Sequence, residues 1–265
     1  MEDREPEWRL SVATLDRVVF PHPAYGGPML ALERKATMME AGKPARVVAQ
    51  PFGGAVRILN PAALQALVGL LRFDGPRSES EQDFRILIHP EDWEQVRQFC
   101  LARLANEDNR DLESSPQREL VEEFQEVINV DLKPEQYTCQ PVGMVVEDQP
   151  ALTSNTYAHG LPTVRVYRIF EVHIVDEALC KTMLVESRQF SDSDMQSLAL
   201  KDAQAGGKGR ANKVLVLPLE TVESAYLSIP VQQRHRTIEV DGHRLFVSVA
   251  AVLDGLDVPQ FTRIR

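Results

Sequence analysis

The chain has 265 residues, of which 43% are hydrophobic and 26% charged, a composition typical of a soluble globular protein with a substantial core. Its net charge of −10 and pI of about 5.2 argue against general binding to nucleic acid or anionic membranes, because both need a basic surface. The three cysteines form no CxxC or Cys/His pattern, which indicates free thiols in a reducing compartment.

The amino terminus carries no sign of export. Residues 1–10 are charged and lack the apolar stretch of a signal peptide. No apolar run in the chain approaches the roughly 20 residues that a membrane span needs. We therefore expect a cytoplasmic protein without a membrane partner.

The first 60 residues predict strands separated by Pro and Gly. Residues 7–20 alternate loosely between apolar and polar side chains, which predicts one or two strands. Residues 29–42 are ambiguous between a helix and a strand with a turn. Residues 43–59 are β-rich at both ends of a Pro-Phe-Gly-Gly stretch, and this pattern predicts a strand, a tight glycine turn and a second strand.

The stretch from Asn60 to Glu113 predicts a compact unit with its own helix–strand–helix pattern. Its parts, in order, are a helix begun by Pro at 61–71, a polar loop at 74–83, a short strand at 84–90 and an amphipathic helix at 91–106.

The carboxyl-terminal half predicts more strands than helices, and the whole chain therefore predicts an α+β fold with a mixed or mostly antiparallel sheet. The predicted elements are strands at 137–147, 163–175 and 179–187, a helix at 193–205, a basic loop at 206–213, a strand leading into a helix at 214–228, a hairpin around Asp241 and Gly242, and a last helix at 247–256.

Between these halves lies SSPQRELVEEFQEVI, at residues 114–128. Ser115 is a good N-cap and Pro116 a good first helical residue. The apolar residues repeat with helical spacing on one face, and the adjoining face carries four glutamates, at positions 119, 122, 123 and 126. Like charges four residues apart repel, so this face is either solvated or holds a divalent cation, for which carboxylates are suitable ligands.

The run from Arg118 to Glu123, RELVEE, resembles the second half of the Nudix box, G-x5-E-x7-R-E-U-x-E-E-x-G-U, where U is a bulky aliphatic residue. The resemblance implies an α/β/α sandwich with a mixed sheet, and it implies that Glu119, Glu122 and Glu123 bind Mg²⁺ or Mn²⁺. Arg118 would support these ligands. The catalytic set would then be Glu122, Glu123 and Arg118, acting on a diphosphate bond through metal-activated water.

The first half of the box is displaced along the chain. Gly53 and Gly54 resemble the glycines that open the motif, and they are expected to lie against the bound ligand. The resemblance therefore implies one Nudix-like domain over 1–265, with an amino-terminal extension at 1–27 and an insertion at 61–112 that splits the box.

Several positions depart from the family pattern. Asn60 stands where a glutamate is expected, and Asp111 or Glu113 are the candidates to replace it. Gln125 and Glu126 replace the glycine and the aliphatic residue after the paired glutamates, which predicts that the helix continues by about one turn.

A second candidate for phosphate binding is the loop at 206–210, GGKGR. Its backbone N–H groups, with Lys208 and Arg210, could contact phosphate, although it lacks the spacing of a P-loop and precedes a strand. A surface loop is the alternative interpretation.

Two functions follow from this sequence. The first is a Mg²⁺-dependent Nudix-type hydrolase of a nucleoside diphosphate linked to another group. The second is a Nudix-like module without catalysis, which binds a nucleotide or docks a protein partner through the insertion at 61–112. Self-association is left open by the sequence.

Overall fold

The computed structural model describes residues 7–38, 45–106, 108–113, 115–152 and 160–265. Its strands are β1 Trp8–Pro21, β2 Pro28–Thr37, β3 Arg46–Gln50, β4 Arg72–Phe73, β5 Arg85–Ile88, β6 Tyr137–Leu152, β7 Pro162–Ile174, β8 Arg210–Pro218, β9 Ile238–Val240, β10 His243–Leu245 and β11 Phe261–Ile264. Its helices are α1 Pro61–Val68, α2 Pro76–Glu81, α3 Trp93–Leu104, α4 Gln117–Ile128, α5 Glu177–Ser187, α6 Asp192–Gln204, α7 Leu219–Ser228 and α8 Ser248–Val252. The predicted α+β class is confirmed.

The strands form one mixed sheet in the order β11-β6-β7-β1-β2-β3-β10-β9, with β5 also paired to β1 and β8 also paired to β2. The pairs β1–β7 and β3–β10 are parallel, and the other pairs are antiparallel. The predicted hairpin is confirmed, because Asp241 and Gly242 take the positive φ angles of 48° and 77° that its turn requires.

Strands β1 and β2 pair at one end and separate at the other, and this fork positions the candidate site. Residues 18–21 of β1 pair with residues 28–31 of β2, after which β2 pairs with β3 instead. Residues 51–56, which we name the wedge, continue from β3 and run antiparallel to the middle of β1. The wedge is held by hydrogen bonds from Thr14 N–H to Gly54 O, 3.0 Å, and from Asp16 N–H to Phe52 O, 2.8 Å.

The wedge corrects the prediction of a tight hairpin at 43–59. The two halves of this segment do not pair with each other: β3 pairs with β2, and the wedge pairs with β1. The chain does not reverse at Gly53 and Gly54, because β3 is already paired with β2 and the wedge with β1.

Two further predictions were wrong. Residues 179–187 form a helix, because Asp176 caps it by accepting the Leu179 N–H at 2.7 Å and because Leu179, Cys180 and Met183 lie buried on one face. The loop predicted at 74–83 contains α2, which begins at a proline. Strand β11 had no prediction, since its residues lack an alternating apolar pattern.

The insertion shares its core with the sheet. Phe84, Ile86 and the buried face of α3 pack with Leu10 and Val12 of β1 and with apolar residues of β7. Strand β5 also pairs with the first residues of β1. The unit is therefore continuous with the main core, although its sequence pattern is self-contained.

The ends of the insertion meet at one place. Ile58 bridges Leu112, Leu59 N–H donates to Asp111 O at 2.8 Å, and Glu113 N–H donates to Arg57 O at 2.9 Å. The chain thus leaves the wedge and returns beside it, immediately before α4.

Among the helices of the described residues, none is both long enough and apolar enough to cross a membrane.

We expect Phe84→Ala to lower the free energy of unfolding of the whole chain by about 3–5 kcal/mol, because the side chain is fully buried where the insertion meets β1. Urea unfolding should be followed by far-UV circular dichroism and by tryptophan fluorescence, which reports on Trp93 and Trp8. Both transitions should shift together, whereas Leu70→Ala, at a side chain 72% exposed, should move neither. Separate transitions would contradict a shared core.

Candidate functional site

Helix α4 lies across the fork with its apolar face inward. Leu120, Phe124 and Val127 are buried against residues of β1, β2, β7 and β8. Ser115 Oγ accepts the Gln117 N–H at 3.3 Å at the start of the helix, and Asn129 ends it in the left-handed conformation. The helix runs through Gln125 to Ile128, as predicted, and the burial of Val127 accounts for the additional turn.

The wedge glycines touch the glutamates of α4. A Cβ atom added to Gly54 would lie 1.9 Å from Glu119 Oε2, and the N–H of Gly53 donates to Glu123 Oε2 at 3.2 Å. Gly53 also has a φ of +127°, and a Cβ atom there would lie 2.2 Å from the carbonyl oxygen of Thr14. Two glycines are thus required for the wedge to fit between β1 and α4.

Arg118 connects three carboxylates. Its Nε lies 2.9 Å from Glu113 Oε2, its Nη1 pairs with Glu119, and the same Nη1 lies 3.4 Å from Glu122 Oε2. Glu113, one of the two candidates for the missing box glutamate, is therefore the one in contact with Arg118. Glu122 points outward, with 59% of its side chain exposed.

The other candidate, Asp111, is bound elsewhere. Its Oδ1 accepts from Asn60 Nδ2 at 2.8 Å, and its Oδ2 pairs with Arg103 Nε at 2.5 Å. Asn60 therefore lies where the insertion closes, away from the Arg118 network.

Two carboxylates of α4 have raised pKa values. Burial raises the pKa of Glu123 well above its ordinary value, and the charge of Glu33 raises it further, against the opposing effects of Lys35 and the Gly53 N–H. Burial also raises the pKa of Glu119, and Arg118 opposes this effect. This part of the site would therefore favour a bound cation.

Sequence reasoning missed two acidic residues beneath α4. Asp16 and Glu33 are buried, on β1 and β2 respectively, and Glu33 Oε2 lies 2.8 Å from Lys35 Nζ and 2.9 Å from Gln50 Nε2. Strand alternation could have found Asp16, because it shares its face with the apolar residues Val18 and Phe20.

The loop at 206–210 has its backbone turned toward Asp202. Gly207 N–H donates to the Asp202 carbonyl at 2.8 Å, and Arg210 N–H donates to Asp202 Oδ2 at 3.1 Å. The side chains of Lys208 and Arg210 remain exposed. The hydrogen bond from Arg77 lowers the pKa of Glu81 on α2, and the charges of Arg77 and Lys208 add to this effect.

The carboxylates do not converge as they stand. Within the described ranges, no three His, Cys, Asp or Glu side chains are arranged to hold a metal ion. Arg118 holds Glu119 and Glu122, and the Gly53 N–H holds Glu123. The donor chemistry nevertheless fits Mg²⁺ or Mn²⁺, because oxygen ligands are gathered beside a buried carboxylate, Asp16, that has no partner among the described residues.

Comparison of the chain with family models, with curated proteins and with solved structures found no match.

Gly53→Ala should destabilise the protein by about 3 kcal/mol, from the strained φ and from the displacement of the Thr14 carbonyl. Gly69→Ala is the matched control, because Gly69 also has positive φ, +71°, but an added Cβ meets nothing within 4 Å. The control should lose only about 1 kcal/mol in urea unfolding. Equal losses would show that the wedge contact is not tight.

Unfolding at different pH values tests the burial of Glu123. Because its pKa is raised in the folded state, the stability it contributes is complete below the unfolded value of about 4.5 and is lost as pH rises through the folded value. In EDTA, Glu123→Gln should therefore gain stability over the native chain as pH rises above 4.5, with a limiting slope of about 1.4 kcal/mol per pH unit. A constant difference between the two proteins would contradict this burial.

Proposed function

We propose that the protein is a Mg²⁺-dependent hydrolase of the Nudix type, which cleaves the diphosphate bond of a nucleoside diphosphate linked to another group. The observation that carries the proposal is the contact of RELVEE on α4 with Gly53 and Gly54 across the fork, with Arg118 paired to Glu119. The insertion separates the two glycines from RELVEE along the chain, yet the two segments are in contact in the structure.

The residues have distinct roles in this proposal. Glu119, Glu122 and Glu123 would hold Mg²⁺, or alternatively Mn²⁺, which when bound supplies activated water and stabilises charge on the diphosphate. Arg118 orients Glu119 and Glu122, and Glu113 fixes the guanidinium from the other side. Gly53 allows the wedge to approach Glu123 and donates an N–H to it.

Lys208 and Arg210 would contact the phosphates by their side chains. Both side chains are exposed. The backbone of their loop is partly bound by Asp202, so the side chains carry this role rather than a nest of N–H groups. We also propose a cytoplasmic location, which free Cys100, Cys139 and Cys180 support.

One observation favours the second candidate, a module that binds a nucleotide without hydrolysing it. Glu122 is mostly exposed, and the carboxylates of the described residues do not converge on one point. In that case the insertion at 61–112, with the exposed apolar side chain of Leu70, would be the surface for a protein partner.

Turnover separates the two candidates. With Mg²⁺, the purified chain should release phosphate or a nucleoside monophosphate from at least one member of a panel of dinucleotides, nucleotide sugars and nucleoside triphosphates. Glu123→Gln should lower kcat/KM by at least about 100-fold through loss of an ion ligand, and Arg118→Lys by about 10–100-fold through loss of ligand orientation.

Glu126→Gln is the control on the same helix, because Glu126 contacts Asn212 Nδ2 at 3.3 Å rather than the wedge, and it should stay within about twofold of the native rate. Binding of a nucleotide sugar in calorimetry without any turnover would favour the second candidate. Activity that survives both Glu122→Gln and Glu123→Gln would exclude the proposed mechanism.

A further inference from the structure

Asp16 is the most unusual charged residue beneath α4. Its side chain is 0% exposed, and neither carboxylate oxygen has a hydrogen-bond partner among the described residues. An unpaired buried carboxylate costs several kcal/mol in the ionised state. A carboxylate with this cost in a largely buried strand calls for a compensating group.

Asp16 faces the candidate site. It lies on the same face of β1 as Val18 and Phe20, which α4 covers, and its backbone is bonded to the wedge through Phe52. After burial itself, the charge of Glu119 has the largest effect on the pKa of Asp16, and both effects raise it. Phe52 precedes Gly53, whose N–H donates to Glu123 Oε2 at 3.2 Å, so the wedge connects the Asp16 backbone to a glutamate of α4.

The charges at this place are not balanced. Of the four carboxylates Asp16, Glu33, Glu119 and Glu123, Lys35 pairs with Glu33 and Arg118 pairs with Glu119. In the part of the chain that the structure describes, Asp16 and Glu123 form no ion pair. Arg118 is shared with Glu113 and Glu122 as well, so carboxylates outnumber cations here, and a divalent cation would reduce the excess.

We propose, on the basis of the hydrolase proposed above, that Asp16 is a further ligand of the divalent cation, beside Glu119 and Glu123 of α4. The metal then lies on the wedge side of α4, between the helix and β1. Because Arg118 holds Glu119 and the Gly53 N–H holds Glu123, binding requires these two side chains to rotate toward Asp16.

The test is Mn²⁺ binding to the full chain, measured by electron paramagnetic resonance of free Mn²⁺ and by the change in Tm with added ion. Asp16→Asn should weaken binding at least tenfold and abolish the Mn²⁺-dependent rise in Tm. Glu126→Gln, on the same helix but in contact with Asn212, should not change it.

Without metal, Asp16→Asn should be at least as stable as the native chain, because it removes a buried charge and keeps the shape of the side chain. Asp16→Asn should thus be at least as stable as the native chain in EDTA and less stable than it in Mn²⁺. This reversal would distinguish a metal ligand from a residue that is needed only for folding. Asp16→Ala, with the same expected loss of Mn²⁺ binding, is the second variant if Asp16→Asn does not fold.

The remaining outcomes are distinguishable. If Asp16→Asn binds Mn²⁺ within twofold of the native chain while Glu123→Gln does not bind, Asp16 is not a ligand and the proposed hydrolase stands. If the native chain binds neither Mn²⁺ nor Mg²⁺, both this inference and the proposed function fail.

Discussion

The contact of α4 with the two glycines of the wedge is the constraint on which the rest of the structure depends. Strands β1 and β2 separate, and the wedge fills the gap only because Gly53 has no side chain to meet the Thr14 carbonyl and Gly54 none to meet Glu119. Helix α4 then covers the fork with its apolar face, which brings its glutamates over β1 and β2. The fold thereby sets acidic groups in a place where water has little access.

This arrangement has an electrostatic consequence for the whole site. Burial raises the pKa of Asp16 and Glu123, while Arg118 and Lys35 neutralise only their immediate neighbours. A hydrophobic core alone would favour apolar residues at these positions. Buried carboxylates at these positions fit the cation site proposed above.

The sequence predicts the α+β class, the helix of α4 and most strands, because each is set by local periodicity and turn residues. The strand predicted at 179–187 is a helix, because Asp176 caps its amino-terminal end. The hairpin predicted at 43–59 does not form, because each half pairs with a strand that is distant in sequence. The local motif identifies Arg118 and the glutamates of α4. Strand alternation places Asp16 on the face of Val18 and Phe20, but only the structure shows that α4 covers this face.

The central claim is that the α4 glutamates and the glycine wedge together bind a divalent cation, and anomalous diffraction tests it most directly. Crystals grown with Mn²⁺ and measured at the manganese absorption edge should show one strong peak between α4 and β1. Carboxylate oxygens of Glu119 and Glu123 should lie within about 2.0–2.6 Å of it, as for other divalent ions with oxygen ligands. A peak elsewhere in the molecule, or none while α4 keeps the contacts described, would contradict the account.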